Sequence, residues 1–210
     1  MLLPGSAFPS RRAFAALLAA LALSIPMASP AHADPTLGFT ETWPDSGLAG
    51  WGGAAAWFVT ISNPRTGGHG GAGDGYLLVS NATAPLIGNL GSYSGVTAYI
   101  GNWETAGVTH VKVWLTQISG VDPVSIHFSI GNQSNLWQYN PGFTPPMGAW
   151  APFIVDLTAP ANFTRTIGDS TATFAAALQN VSRVLFRHDL APFIHQPDAI
   201  QAEFGIDDLL

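Results

Sequence analysis

Two neighbouring segments of the chain, residues 108–119 and 124–130, alternate apolar and polar side chains with a period of two. This alternation is typical of β-strands that bury one face, because successive side chains of a strand point to opposite sides. Gly120-Val121 between the segments predicts a tight turn, and therefore a hairpin. With Ser119 placed opposite Asp122, the apolar face pairs Leu115 with Ile126, Val113 with Phe128 and Val111 with Ile130, and the polar face pairs Trp114 with His127 and Lys112 with Ser129. Both faces agree in one register, which predicts a sheet with one apolar face, or half of a sandwich.

Similar short segments recur along the rest of the chain. One helix is predicted over 171–180, because Phe174, Leu178 and Val181 recur at helical spacing and Asp169 or Ser170 can cap its start. About eight to ten short strands and one helix are typical of a single all-β domain. The further strands are predicted over 36–43, 55–62, 76–81, 96–103, 136–139, 150–157, 181–188 and 204–210.

The composition agrees with an all-β chain. Charged residues make up 10% of it, with 23 glycines and 16 prolines, whereas a typical globular protein has about 25% charged residues. Short strands with many turns can expose Ser, Thr, Asn and Gln, but helices need Lys and Glu on their exposed faces. We therefore predict an all-β fold, a two-sheet β-sandwich of the jelly-roll type with one short helix.

Two further counts exclude classes of function. The chain has no cysteine, which excludes disulfides and thiolate metal sites. Its net charge of −6 is opposite in sign to the basic patch that nucleic acid binding needs.

The first 33 residues have the three parts of an export signal. Arg11-Arg12 precedes an apolar run over 13–25, and Ala31-His32-Ala33 is a small-x-small cleavage site. The apolar run is short and rich in alanine for a membrane span, although a retained anchor is the alternative. We therefore predict that residues 1–33 are removed and that 34–210 form one β-sandwich domain.

Ser10-Arg11-Arg12-Ala13-Phe14 is similar to the twin-arginine export motif. That motif predicts a bacterial protein, either periplasmic or extracellular, without stable membrane insertion once the signal is removed. A general secretory signal with two arginines is the alternative. Cleavage after Ala33 removes two of the seven basic residues and no acidic residue, so the mature charge is 5 − 13 = −8.

Several stretches resemble a known family. The sequence resembles the laminin B-type and carbohydrate-binding-module-like jelly rolls of the galactose-binding-like class, over nearly all of 34–210. The resemblance implies a two-sheet jelly roll without catalytic activity, which often carries a structural calcium near the joined chain ends and recognises glycans on an open sheet face or on end loops. The stretches that carry it are Gly47-Leu48-Ala49-Gly50-Trp51, Gly73-Asp74-Gly75-Tyr76-Leu77, Leu86-Ile87-Gly88-Asn89-Leu90, Trp150 before a Val-Asp-Leu strand, and the closing Gly205-Ile206-Asp207-Asp208-Leu209-Leu210.

The implied calcium site would use three carboxylates. Calcium takes about six to eight oxygen ligands, from carboxylates and backbone carbonyls. The resemblance places Glu41, Asp74 and Asp207 together at the joined chain ends, and the glycine-rich stretch 63–75 could add carbonyls. The alternative is that Asp207 caps a turn and the other two carboxylates are solvated.

Aromatic residues on polar faces are the candidates for a glycan site. Such a site combines a flat apolar surface with a few placed polar groups. The alternative is that Trp114 is covered by the helix or by a long loop. The candidate residues are Trp114, His127 and Lys112 on the polar face of the predicted hairpin, Trp137 and Tyr139 in an aromatic segment rich in amides, and Trp103 at a strand end.

The sequence contains no local signature of catalysis. A glycosidase needs two carboxylates at a defined separation. Besides Glu41 the mature chain has only the glutamates at 104 and 203 and scattered aspartates, and Asp156 in a predicted strand has no visible partner. The histidines lack zinc-site spacing, and no Gly-x-Ser-x-Gly is present. Arg187-His188-Asp189 is interpreted as a strand end, because neighbours in a strand point to opposite faces. We predict an exported, non-catalytic β-sandwich that binds carbohydrate; the alternatives are a structural or adhesive surface protein, and a polysaccharide hydrolase or lyase with a site built from distant strands.

Overall fold

The computed structural model describes residues 34–54, 59–82 and 88–210. The predicted export signal and the first half of the strand predicted over 55–62 lie outside the described residues. No helix in the described part of the chain is long and apolar enough to cross a bilayer. The secondary structure comprises a short 3-10 helix (Pro160–Asn162), one helix, α1 (Phe174–Leu178), and the strands β1 (Trp51–Gly53), β2 (Thr60–Ser62), β3 (Leu77–Ser80), β4 (Gly88–Asn89), β5 (Gly91–Ser94), β6 (His110–Gly120), β7 (Ile126–Gly131), β8 (Leu136–Tyr139), β9 (Ala151–Asp156), β10 (Phe163–Ile167), β11 (Arg183–His188), β12 (Ala199–Ile200) and β13 (Ala202–Asp207).

Two antiparallel sheets form the body of the fold. The six-stranded sheet has the order β1-β5-β11-β7-β8-β10, and the five-stranded sheet has the order β2-β3-β13-β6-β9. A small ladder of β12 and β4 completes the topology. Apart from the consecutive pairs β7-β8 and β2-β3, the neighbours in each sheet are distant in sequence, as in a jelly roll. The fold is the predicted two-sheet β-sandwich.

The hydrophobic core lies between the two sheets. Strand β6 contributes Val113 and Leu115, and strand β7 contributes Phe128 and Ile130, all with 1% or less of their surface exposed. Ile206 of β13 lies opposite Leu115 and is equally buried. The alternate residues of these strands point away from the core, so each sheet has an outer face on which a site can be built.

The predicted hairpin was wrong. β6 pairs with β13 and β9 in one sheet, whereas β7 pairs with β11 and β8 in the other. The apolar residues of both strands do face each other, but across the core rather than along a hydrogen-bonded ladder. After Gly120 the chain crosses between the sheets, and the Gln117 side chain organises this crossover by donating to the Asp122 carbonyl (2.9 Å) and accepting from the Val124 N–H (3.1 Å).

Other elements differ from the sequence-based expectation. No strand forms over 36–43 or 96–103; the second of these turns back on itself, with the Tyr99 N–H donating to the Val96 carbonyl (2.9 Å). Strand β10 was not predicted. Helix α1 is shorter than expected, and its cap is Thr173 rather than Asp169 or Ser170, since the Thr173 side chain accepts from the Ala176 N–H.

The two ends of the described sandwich are joined through backbone hydrogen bonds. The Glu41 N–H donates to the Leu209 carbonyl (2.8 Å), and the Leu209 N–H donates back to Glu41 (3.1 Å). Leu210 forms a second pair of bonds with Lys112, each 2.8 Å long. These bonds hold the segment after β13 beside both the first described segment and β6.

Candidate functional site

A groove lies on the outer face of the six-stranded sheet. Its cavity volume is about 310 Å³. Strand β11 contributes Arg183, Leu185 and Arg187 to the lining, while Val184 and Phe186 alternate with them into the core. We call this surface the β11 groove; its further lining includes Leu136, His195, Gln196 and Pro197.

Arg187 anchors one side of the β11 groove. Its guanidinium is buried and donates to the Gln138 Oε1 (2.6 Å) and to the Asp189 Oδ2 (2.8 Å). It also donates to the backbone carbonyls of Ile194 (2.8 Å) and His195 (2.9 Å). Burial lowers the pKa of Arg187, and Asp189 opposes that shift. Arg187 therefore holds the segment after β11 against the sheet and has its hydrogen bonds satisfied within the protein.

Arg183 lies on the same side of β11 and contrasts with Arg187. Its Nε is shielded from solvent and has no hydrogen-bond partner among the described residues. In that part of the chain no carboxylate lies within ion-pair distance of its guanidinium. Burial lowers the pKa of Arg183, and the nearby Tyr93 opposes that shift. This side chain therefore brings a positive charge to the groove without a partner to stabilise it.

Tyr93 adds an exposed aromatic ring to the same outer face. It lies on β5 directly opposite Leu185, and 43% of its surface is exposed. Its ring passes over Gly52, where an added Cβ would already be in van der Waals contact with it at 3.6 Å. The approach of β5 to Arg187 also needs a glycine, because a Cβ at Gly91 would lie 2.8 Å from the Arg187 Cβ. Glycines thus leave space for the large side chains of this face.

Of the predicted glycan residues, His127 is the one on the outer face of this sheet. It is buried beneath Phe193, with ring centroids 4.7 Å apart. Its Nδ1 lies 2.9 Å from the Tyr139 carbonyl, and its Nε2 lies 3.1 Å from the Ser125 hydroxyl. Burial lowers the pKa of His127. Both ring nitrogens are therefore occupied by protein groups.

Three more of the predicted residues pack in or beside the core. Tyr139 and Trp103 are buried, and the Trp103 Nε1 donates to the Tyr99 carbonyl. Trp137 is half-buried; it packs edge-on against Phe174 and donates from Nε1 to Asn135. None of these three rings lines the β11 groove.

Trp114 and Lys112 lie on the outer face of the five-stranded sheet, away from His127. The imidazole of His69 stacks on the Trp114 indole with centroids 3.6 Å apart. The Lys112 Nζ lies 5.7 Å from the Trp114 centroid. The glycine-rich stretch that carries His69 therefore lies over this tryptophan. This arrangement corresponds to the alternative stated from the sequence, in which a long loop covers Trp114. The assignment of six residues to one ligand site stays a prediction, and the structure distributes those residues over three regions.

Two of the three predicted calcium ligands come together. A Cβ on Gly68 would lie 2.6 Å from the Asp74 Oδ2 and 2.7 Å from the Asp207 Oδ2, so both carboxylates flank this glycine. Asp207 is buried and accepts from the backbone N–H groups of His69 (2.7 Å) and Asp208 (2.8 Å). Burial, reinforced by the charges of Asp74 and Asp208, raises the pKa of Asp207 to about 7. This accumulation of negative charge is where a cation would be stabilising.

Glu41 is not placed with that pair. Its carboxylate is buried and accepts from the Trp43 N–H (3.3 Å). Burial raises the pKa of the nearby Tyr99 phenol, and the charge of Glu41 adds to that shift. Among the described residues, no group of three or more His, Asp or Glu side chains is close enough to hold a metal. A calcium ion here would therefore use Asp74 and Asp207 with backbone carbonyls, such as that of Gly75, which also flanks Gly68.

Arg187-His188-Asp189 divides between the two sides of its strand. Arg187 and Asp189 pair on the outer side, whereas the His188 Nδ1 accepts from the Ser125 N–H (2.9 Å). Asp189 is further engaged by the Gln138 amide (2.9 Å). All three side chains are buried and satisfied by protein partners, which agrees with the interpretation of this tripeptide as a strand end.

The fold places this protein in the structural class of two-sheet β-sandwiches of the jelly-roll type. It has an open groove on the outer face of one sheet. No protein-family model matches the sequence, and no curated protein sequence matches it either. Solved structures do match, and they include carbohydrate-binding modules.

The family 11 carbohydrate-binding module of the Clostridium thermocellum cellulase Lic26A-Cel5E matches with a TM-score of 0.54 and 16% identity, over 81% of this chain and 92% of the module. The family 11 module from the same organism in complex with a β-1,3-1,4-mixed-linked tetrasaccharide matches with a TM-score of 0.51 and 16% identity, over 78% of this chain and 88% of that one. An exo-β-agarase matches with a TM-score of 0.56 and 10% identity, over 80% of this chain but 24% of the agarase. At these identities the similarity establishes a shared fold.

Proposed function

We propose that this protein is an exported, non-catalytic β-sandwich that binds carbohydrate in the β11 groove. The observation that carries the proposal is the open outer face of β11, where the exposed ring of Tyr93 lies directly opposite Leu185 of the groove lining, on the same face as the polar side chains of the groove. An apolar ring face with a few oriented polar groups is the composition expected of a sugar site. The fold shared with carbohydrate-binding modules supports the same function.

The side chains around the groove form a binding site that is already ordered before a ligand binds. Arg187, Gln138 and Asp189 form a buried hydrogen-bond network that fixes the floor and the adjoining segment. A site held by satisfied buried groups loses little entropy when a ligand binds. Because Arg187, Gln138 and Asp189 use their hydrogen-bonding groups on one another, they have no visible role in proton transfer. This supports a binding function rather than a catalytic one.

A glycan-binding assay with ring variants tests the proposal. We expect Tyr93→Ala to weaken binding about tenfold, as loss of an aromatic anchor typically does, and Tyr93→Phe to stay close to the unchanged protein. The matched control is Ile154→Ala, because Ile154 is 55% exposed on the outer face of the other sheet. Equal binding by Tyr93→Ala and the unchanged protein would contradict the groove assignment.

Two variants test the surfaces predicted from sequence. Trp114→Ala probes the face that carries Lys112, and Trp137→Ala probes the edge near Phe174. Loss of glycan binding in either variant, with Tyr93→Ala unaffected, would move the site to that surface. No binding to any glycan would instead favour a structural or adhesive protein, and release of product from a polysaccharide would favour a hydrolase or lyase.

We also propose a structural calcium at Asp74 and Asp207. Binding to the folded state alone stabilises it by about 2.7 kcal/mol at a hundred times the Kd. We expect calcium to raise the melting temperature of the unchanged protein, and to have little effect on Asp74→Asn or Asp207→Asn. Asp122→Asn, at an exposed loop position, is the control, and Glu41→Gln tests whether the third predicted carboxylate takes part. An identical melting temperature in excess chelator and in calcium would exclude the site.

The composition of the N-terminal segment supports export. We propose that residues 1–33 direct export and are removed after Ala33, which leaves the protein periplasmic or extracellular. The mass of the protein recovered outside the bacterial cytoplasm tests the cleavage position. Arg11→Lys together with Arg12→Lys should block the twin-arginine route, whereas unchanged export of that variant would indicate the general secretory route.

A further inference from the structure

Arg183 stands apart among the basic residues of the sandwich. Residues 34–210 contain five Lys and Arg residues. Arg187 is paired with Asp189, Arg165 donates to the Ala172 carbonyl, and the other two, Lys112 and Arg65, are exposed to solvent. Arg183 is only partly exposed, and within the described part of the chain its guanidinium makes neither a hydrogen bond nor an ion pair.

No acidic side chain of the groove neutralises this charge, as far as the structure describes the chain: neither Asp nor Glu is among the described lining residues. Asp189, the residue that follows β11, is already bound by Arg187, by the Gln138 amide (2.9 Å) and by the Leu190 N–H (3.1 Å). A guanidinium that is partly withdrawn from water without a partner is destabilising, and an anion in the groove would offset that cost.

Tyr93 lies at a useful position relative to this charge. It is opposite Leu185 across the β5–β11 ladder, and Arg183 is two residues before Leu185 on the same face. Diagonal neighbours of this kind lie about 7–8 Å apart, within reach of long side chains. One sugar ring stacked on Tyr93 can therefore present a substituent to the guanidinium.

Building on the proposed carbohydrate function, we infer that the β11 groove selects glycans with an anionic substituent, a carboxylate or a sulfate ester, which Arg183 binds. The Arg183 Nε is shielded, so its two terminal nitrogens meet the anion. Arginine presents paired N–H donors in a planar fork that matches such oxygens, and a charge-assisted pair of this kind is stronger than a neutral hydrogen bond. The overall acidic chain then repels anionic polymers except at this groove.

Calorimetric titration with matched ligands tests the inference. The probes are an oligogalacturonate, the same oligosaccharide with its carboxylates methyl-esterified, a sulfated carrageenan oligosaccharide, and a neutral β-1,3-1,4-glucan tetrasaccharide. We expect an anionic probe to bind at least about tenfold more tightly than the neutral ones, with an affinity that falls as salt is added. Tight binding of oligogalacturonate identifies a carboxylate ligand, and tight binding of carrageenan alone identifies a sulfate ligand.

Variants at two arginines assign the effect. Arg183→Gln should abolish the preference for the anionic probe, and Arg183→Lys should retain part of it. Arg65→Gln removes an exposed charge outside the groove and should change nothing. Melting temperatures show that each variant is folded.

The outcomes separate the two proposals. Tight binding of the neutral probe with no effect of Arg183→Gln would overturn this inference and leave the carbohydrate function intact. Binding of none of the four probes, nor of any glycan in a wider panel, would overturn both. An anionic preference that Arg65→Gln removes and Arg183→Gln does not would place the anion elsewhere and overturn the inference.

Discussion

Two arginines of one strand show how position decides the role of a residue. Arg183 and Arg187 point to the same side of β11, four residues apart. Arg187 makes four hydrogen bonds within the protein, whereas Arg183 makes none among the described residues. The first is therefore a structural anchor and the second is available for a ligand, although composition alone cannot distinguish them.

Removal of the Arg187 guanidinium should destabilise the fold. In Arg187→Met the buried Asp189 loses its ionic partner, and we expect a loss of about 3–5 kcal/mol in the free energy of unfolding, measured by urea denaturation. The double variant Arg187→Met with Asp189→Asn should recover part of that loss, because the uncompensated charge is gone. A loss below about 1 kcal/mol in the single variant would contradict the structural role, since surface ion pairs contribute that little.

His188 should make stability depend on pH on the acid side. Burial lowers its pKa below the ordinary 6.5, as does His127, while Asp198 and Asp189 oppose the shift. The unfolded chain therefore takes up this proton at a higher pH than the folded protein does. The stability is fully present above about pH 6.5 and is lost as pH falls towards the folded pKa.

The loss has a structural reason and a direct test. A protonated His188 Nδ1 would face the Ser125 N–H, which needs an acceptor. We expect His188→Asn, which can still accept that bond, to have a flatter dependence of melting temperature on pH between 7.5 and 5. His110→Asn, at an exposed position, should follow the unchanged protein. Parallel curves for all three proteins would refute the prediction.

Among the elements, the crossover from β6 to β7 depends on one side chain. Gln117 is buried and binds the Asp122 carbonyl and the Val124 N–H in the connecting segment. We expect Gln117→Ala to lower the free energy of unfolding by about 2 kcal/mol, because buried backbone groups lose their partners. Gln179→Ala is the control; the exposed Gln179 also bonds a side chain, Glu104, and should change stability by less than about 0.5 kcal/mol. Similar losses in the two variants would mean that the crossover does not need Gln117.

The same crossover explains which elements could be predicted from sequence. Alternation identified the faces of β6 and β7 that meet the core, because burial of one face imposes a period of two. It did not identify the partners of those strands, since residues that face each other across a core alternate in the same way as residues paired in a ladder. The segment 96–103 shows that such alternation can also occur without a strand. Tyr99 and Trp103 are buried there, but the backbone forms turns.

The candidate site was less predictable than the fold. Tyr93, Leu185 and Gln138 come from three strands that become neighbours only through the sheet order. One local signal was present: Arg183, Leu185 and Arg187 alternate with core residues, so two arginines had to share the outer face of one strand. The sequence pattern pointed to tryptophans instead, and two of those predicted residues, Trp103 and Trp137, pack in or beside the core.

At the scale of the whole molecule, the sandwich should unfold as one unit. Strand β13 lies between β3 and β6 in the centre of the five-stranded sheet, and its Ile206 faces the shared core. We expect Ile206→Ala to lower the free energy of unfolding by about 3 kcal/mol. Far-ultraviolet circular dichroism and tryptophan fluorescence should give coincident urea transitions in this variant and in the unchanged protein.

The tryptophans make that comparison informative. Trp51 belongs to the six-stranded sheet, and Trp114 belongs to the five-stranded sheet, so fluorescence reports on both. Ile154→Ala, at an exposed position of β9, is the control and should change stability by less than about 0.5 kcal/mol. Separate transitions for the two probes would show that the sheets unfold independently.

The central place of β13 also has a consequence for synthesis. A ribosome makes β3 and β6 long before residues 202–207 leave its exit tunnel, at about 5–20 residues per second. Until then the edges of β3 and β6 that β13 will occupy have unpaired backbone groups, which attract other extended chains. The nascent protein therefore passes through an interval in which holdase chaperones can bind these unpaired edges. The five-stranded sheet cannot form completely until its middle strand has been translated.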